Sequence, residues 1–224
     1  AAIDDALAGA LDAGARQLVV LGAGLDARAW RLPALREVTV FEVDHPSTQA
    51  GKQRRVAGRP PLAADVRFVA VDFERDDLAE RLAAHGHAVD VPSAWIWEGV
   101  TPYLHPPAIE ATLTAVSSRS CAGSRLLVSY AVPALVPWDV PGLPKLTEAA
   151  FAVLGEPLHG AMSTDALAAR LDAHGFSLLE DTSNRDWASR HAGSARMATL
   201  FSAERLAVAE KTSDASGADR EGSQ

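Results

Sequence analysis

Short aliphatic and aromatic runs recur along this chain, and helical spacing follows each of the first four. The runs are QLVVL (17–21), VTVFEV (38–43), VRFVAV (66–71), SAWIWE (93–98), SRLLVSYAV (124–132) and FSLLED (176–181). RMATLFS (196–202) is a candidate seventh. Helical patterns lie at 3–13, at 26–35 with Asp26 as N-cap, from Pro46 through 56, at 75–85 and at 107–119. Another opens at Ser163 or Thr164 and stops at Gly175. Alternation of this kind demands crossovers between parallel neighbours. The expected fold is therefore α/β: a Rossmann-like, doubly wound, mostly parallel sheet of about seven strands with helices on both faces. Residues 1–210 read as one domain. Within it, 133–162 carries five prolines and reads as an irregular, lid-like insertion, and 211–224 reads as a disordered tail.

The bulk properties remove several partners. The formal net charge is −8, with 29 acidic against 21 basic residues. Nucleic acid as a main partner needs a basic field, so it is not expected. No apolar run reaches the roughly 20 residues that span a bilayer, so no membrane partner is expected. The single cysteine, Cys121, cannot pair within the chain, and no signal peptide is visible. These features point to the cytoplasm. The histidines show no spacing with cysteine or acid that would hold a metal, so none is expected.

In an open parallel sheet, ligands bind beyond the carboxyl ends of the strands. The first run ends in Gly22-Ala23-Gly24, the second in Glu42-Val43-Asp44, the third in Asp72-Phe73 and the fourth in Glu98-Gly99. One rim would thus carry a close backbone approach, three acidic positions and an aromatic ring. Each part has a plainer explanation: glycines serve turns, and Asp44 or Asp72 could cap the next helix. Glu98 is harder to explain so, since it closes an apolar strand beside a glycine. An acid about 20 residues beyond the glycines accepts hydrogen bonds from ribose hydroxyls. Asp72 and Phe73 could meet an adenine, and Glu98 a positive group. A dinucleotide loop would have a third glycine where Ala27 stands. A ligand with adenosine, no pyrophosphate and a cationic end fits better, and S-adenosylmethionine is such a ligand.

LGAGLDARAWRL, FEVDHP, VDFERDDL and WEGVTPYL, in this order and spacing, resemble class I methyltransferases of the leucine carboxyl methyltransferase type. The nearer likeness is to a bacterial branch of S-adenosylmethionine-dependent enzymes that includes O-methyltransferases. The resemblance covers about residues 3–181. It implies that Gly22 lies beneath the cofactor, Asp44 holds the ribose, Asp72 and Phe73 frame the adenine, and Glu98 meets the methionine end. It also implies that Arg28 and Arg31 pair with nearby carboxylates and hold the loop. Members of this family usually have a longer N-terminal segment, and this chain does not begin with Met. It therefore reads as a piece whose true N-terminus lies upstream.

The expected acceptor is a carboxylate or hydroxyl of a small molecule. It is expected to be apolar because Trp138, Leu143, Leu146 and Phe151 fall in the lid-like stretch. A carboxylate needs no general base; a hydroxyl is helped by one, and Tyr103 and His105 are the candidates. Two other readings stay open. One is a nicotinamide-dependent oxidoreductase on a similar sheet; the other is a truncated, non-catalytic binding module. The sequence leaves the oligomeric state open.

Overall fold

The computed structural model describes residues 2–132, 160–190 and 204–213. Its centre is a seven-stranded sheet of β1 (Gln17–Leu21), β2 (Thr39–Asp44), β3 (Asp65–Ala70), β4 (Ser93–Trp97), β5 (Arg125–Ala131), β6 (Phe176–Ser183) and β7 (Glu204–Lys211). The spatial order is β3-β2-β1-β4-β5-β7-β6. β1 to β5 pair in parallel, while β7 is antiparallel to both β5 and β6. The order reverses between β1 and β4, so the crevice that binds ligands in such sheets opens above those two strands.

β1 and β4 are buried along their whole length, as central parallel strands covered on both faces must be. Two cores result. On one face Val19, Phe41, Trp95, Trp97, Leu126 and Tyr130 pack beneath α4 (Leu78–Ala84), α5 (Pro106–Ser118) and α6 (Thr164–Ala173). On the other, Leu18, Val20, Val40, Ile96 and Leu127 meet Leu7 and Ala10 of α1 (Ala2–Asp12). Glu42 is the exception on that second face. It alternates with Val40, yet is fully buried.

Several local expectations change. The helix expected over 26–35 is only α2 (Arg28–Arg31), followed by a tight turn at Pro33–Leu35. Pro33 has no N–H for an α-helical bond, so the helix cannot run through it. Ala27 holds the N-cap position without a side-chain bond, and Asp26 instead accepts the Arg28 N–H at 2.7 Å. α3 (Pro46–Val56) has Pro46 in its first turn as expected, but its cap is His45, whose Nδ1 accepts the Ser47 N–H. α4 starts at Leu78 and is capped by Asp77, not by Asp72. Ser163 caps α6, and the short α7 (Asn184–Arg190) follows β6 directly.

The seventh strand of the sheet is ERLAVAEK, Glu204–Lys211, one residue into the expected tail. The candidate strand at 196–202, most of the lid-like stretch (133–159) and the tail from 214 lie outside the described residues. Among the described residues no helix is long and apolar enough to cross a membrane.

Candidate functional site

β1 delivers the chain into Gly22-Ala23-Gly24 with both glycines at positive φ, +69° and +44°. Only glycine takes that conformation without a steric cost. Gly22 has a second reason to be bare: a Cβ there would collide with the Val100 Cγ2 methyl. The segment after β4 thus lies directly on the glycine loop. The Ala23 N–H donates to the Val43 carbonyl at 2.9 Å, continuing the β1–β2 pairing into the loop.

Asp44 ends β2 and is held from two sides. The Gly24 N–H donates to its Oδ2 at 2.5 Å and the His45 N–H to its Oδ1 at 2.6 Å. Each carboxylate oxygen keeps lone-pair capacity for a further donor. The β3 end lies alongside, since the Val71 N–H donates to the Asp44 carbonyl at 2.9 Å. Asp72 forms a local turn. Its Oδ1 accepts the Glu74 N–H at 3.1 Å, while its own N–H donates to Asp76 Oδ2 at 2.9 Å. Phe73 is half-buried against the core and lines a groove of about 540 Å³ running between α4 and α5.

Glu98 follows β4, across the crevice from the glycine loop. Its Oε2 accepts from Arg28 Nη2 at 2.9 Å, and its side chain is still 45% exposed. Arg28 is buried and meets three carboxylates: Glu98, Asp4 of α1 at 2.8 Å, and Asp26. These neighbours outweigh burial and push its pKa further above the usual range, so it is a permanent cation here. Arg31 pairs with Asp4 at 2.7 Å. Residues 22–28, Arg31 and Glu98 enclose a cleft of about 300 Å³. Arg28 is thus the buried cation among the described residues of this cleft, and α1 is tied to the rim through Asp4, which meets Arg28 and Arg31.

The structure therefore brings Gly22, Ala23, Gly24 and Glu98 to one cleft, with Asp44 bonded to its floor. Asp72 sits beside Asp44 at the next strand end, and Phe73 turns toward the helices. Tyr103 lies on the turn Thr101–Tyr103, 45% exposed, and His105 is the exposed N-cap position of α5. That turn is anchored from below, where Thr101 Oγ1 donates to the Ser129 carbonyl at 2.9 Å.

Known proteins agree with this architecture. A family model described as leucine carboxyl methyltransferase matches residues 1–117. The chain belongs to the leucine carboxyl methyltransferase family. A relative from Mycobacterium avium (strain 104) is 46% identical over 133 residues, 58% of this chain and 41% of its own. One from Mycolicibacterium smegmatis is 38% identical over 174 residues, 77% of this chain and 51% of its own. Both are named for S-adenosyl-L-methionine-dependent methyl transfer. The chain spans about half the length of these curated relatives. The fold is shared with a methyltransferase from Thermobifida fusca, with a TM-score of 0.66 at 18% identity over 93% of this chain and 79% of that one. It is shared also with the 1,6-didemethyltoxoflavin-N1-methyltransferase of Burkholderia thailandensis, TM-score 0.55 at 20% identity over 95% and 79%, solved with S-adenosylhomocysteine.

Sequence reasoning missed one pair. Glu42 Oε2 lies 2.6 Å from Lys52 Nζ on α3, with the side chains 2% and 5% exposed. Burial pushes the Glu42 carboxyl up to about 7, against the pull of Lys52, and the charges of Asp26 and Asp44 push the same way. A signal was present: a carboxylate inside the apolar run VTVFEV requires a buried partner.

Proposed function

We propose that this chain binds S-adenosylmethionine and transfers its methyl group to an oxygen of a small-molecule acceptor. The observation that carries the reading is Asp44. Its carboxylate is held at the end of β2 by two backbone N–H groups, one of them from the glycine loop. A two-oxygen acceptor at this strand end suits the two hydroxyls of a ribose. With Asp44 at its floor, the cleft carries three acids, Asp26, Asp44 and Glu98, against Arg28 and Arg31 among the described residues, which suits a ligand whose reacting end is cationic. Glu98 would take the ammonium of the methionine end, and Arg28, locked by Asp4 and Asp26, would face its carboxylate. Gly22 and Gly24 keep the floor low enough for a close approach.

When bound, the sulfonium supplies an activated methyl carbon, whose bond to sulfur breaks as its bond to the acceptor oxygen forms. The protein's part is to hold the ligand in line with the acceptor and to exclude water. A carboxylate acceptor needs no proton removed. For a hydroxyl, Tyr103 on its turn and His105 at the start of α5 are the candidate bases. The apolar residues of 133–162 support an apolar acceptor, and the single cysteine supports a cytoplasmic setting.

Titration calorimetry with S-adenosylmethionine, S-adenosylhomocysteine and NAD tests the reading. Both sulfur ligands should bind and NAD should not. Asp44→Ala and Glu98→Ala should each weaken binding by about 1–3 kcal/mol, the worth of a charged hydrogen bond. No heat with either sulfur ligand overturns the reading. Unchanged affinity in both variants would mean that the ligand lies elsewhere.

A further inference from the structure

Glu42 lies on an interior strand opposite Val20, at a position where an aliphatic side chain would cost nothing. The chain instead buries a carboxylate there and supplies Lys52 to meet it at 2.6 Å. Lys52 also lies 5.7 Å from the centre of the Trp30 ring, so the same ammonium touches α2, the element that follows the glycine loop. One turn before Lys52, Gln49 Nε2 donates to the Glu42 backbone carbonyl at 3.0 Å. α3 is therefore latched to residue 42 twice, once to its main chain and once to its side chain. Asp44 lies between the latched residue and Pro46, where α3 begins. The path 42–44–46–49–52 is a closed loop of structure, and Asp44 is the part of it bonded to the glycine loop that lines the cleft.

We propose that Glu42 and Lys52 are a positioning pair for Asp44: their buried contact closes this loop, aims the Asp44 carboxylate at the Gly24 N–H, and so sets the grip of the site on a ribose. The proposal rests on the adenosine-binding reading given above. The charged groups that bear on Glu42 are Lys52 from α3, Asp26 from the loop after β1, and Asp44 on its own strand. Three carboxylates thus share this corner, and Lys52 is the cation in contact with the buried one. Without it, an ionised Glu42 would repel Asp44 from below, and the Asp44–Gly24 bond would be the first to yield. Glu42 ionised keeps the latch closed; Glu42 protonated releases it.

The experiment measures S-adenosylhomocysteine affinity by calorimetry from pH 6 to 8 for wild type, Lys52→Met, Glu42→Gln, Asp44→Ala and Lys52→Met/Asp44→Ala, with thermal melts to confirm folding. Wild-type affinity should fall several-fold from pH 8 to pH 6. Glu42→Gln should be weak and flat across that range. Lys52→Met should bind about tenfold more weakly at pH 8, yet cost nothing further once Asp44 is alanine. Should a single variant melt below the assay temperature, Glu42→Leu/Lys52→Met keeps the packing without the charges and should bind as weakly and as flatly as Glu42→Gln. Wild-type affinity in Glu42→Gln and Lys52→Met would overturn the proposal while leaving the adenosine-binding reading intact. So would an equal loss from Lys52→Met with and without Asp44, which would mark a general effect on the fold. Absence of binding by wild type is a different result: it overturns the adenosine-binding reading and the pair's role with it.

Discussion

Gly22 is held bare by two separate demands, a left-handed backbone and a neighbour on its open side. The backbone demand is local, since φ of +69° costs any other residue about 1–2 kcal/mol. The other comes from Val100, whose methyl fills the space a Cβ would need. Overpacking of this kind costs about 1–3 kcal/mol. Gly22→Ala should therefore lower stability by about 2–5 kcal/mol, measured by urea denaturation. Adding Val100→Ala should return only the packing share. Full recovery would mean that the backbone is not strained, and no recovery would mean that Val100 is not the obstacle. At this scale the rim was legible because glycines and strand-end acids advertise themselves one by one. The three-carboxylate grip on Arg28 was legible only in outline. Asp4 stands 24 residues before Arg28 and Glu98 stands 70 after it, and only the fold brings them to one guanidinium.

Between elements, what matters is how charge is carried across a packed face. α3 is polar along its length, yet it presents Gln49 and Lys52, both buried, to the end of β2. Breaking a buried ion pair by removing one partner typically costs about 3–5 kcal/mol, while replacing both by apolar groups is often neutral. Lys52→Met and Glu42→Gln should each destabilise by that order, and Glu42→Leu/Lys52→Met should regain most of it, as read from denaturant midpoints. The Lys52→Met loss should also depend on pH. The folded Glu42 carboxyl titrates above its unfolded value, so its penalty is absent well below pH 4.5 and complete by about pH 7 in wild type; without the pull of Lys52 it titrates higher still, and the variant's penalty goes on growing above pH 7. Lys52→Met should accordingly be nearer to wild type at pH 6 than at pH 8; the reverse order would contradict the assignment of the buried charge. The parallel elements were legible because aliphatic runs alternate with helical spacing. The last strand was not. ERLAVAEK has charged ends and enters the sheet between β5 and β6, antiparallel to both, a placement set by pairing rather than by its own pattern. α2 was overread because apolar spacing carried on past Pro33.

Across the whole molecule, the carboxyl ends of the strands hold the cleft and the amino ends hold a second polar cluster with a structural task. His87 is buried there between Phe41 and Trp95, its Nε2 3.1 Å from Ser93 Oγ. Arg119 Nη2 donates to its backbone carbonyl, and the same nitrogen lies 3.4 Å from its Nδ1. Burial first, and the Arg119 charge second, push the imidazole down to about 4. A folded pKa below the unfolded one means that stability is intact above about pH 6.5 and is lost as pH falls toward 4. Glu42 acts in the opposite sense over pH 4.5 to 7, so the two buried groups bound a stability maximum on the mildly acidic side of neutral. They can be separated because they lie on opposite faces of the sheet, His87 against Phe41 and Trp95, Glu42 on the face of Val20 and Val40. His87→Gln keeps a partner for Ser93 and removes the proton site. It should abolish about 2–3 kcal/mol of the stability difference between pH 7 and pH 4.5, the worth of a two-unit shift. The Glu42 contribution, which is complete by about pH 7, should not move, so the difference between pH 7 and pH 8.5 stays as in wild type. Denaturation at pH 4.5, 7 and 8.5 decides it, and an unchanged slope below pH 6.5 in His87→Gln would place the acid sensitivity of this fold in some other group.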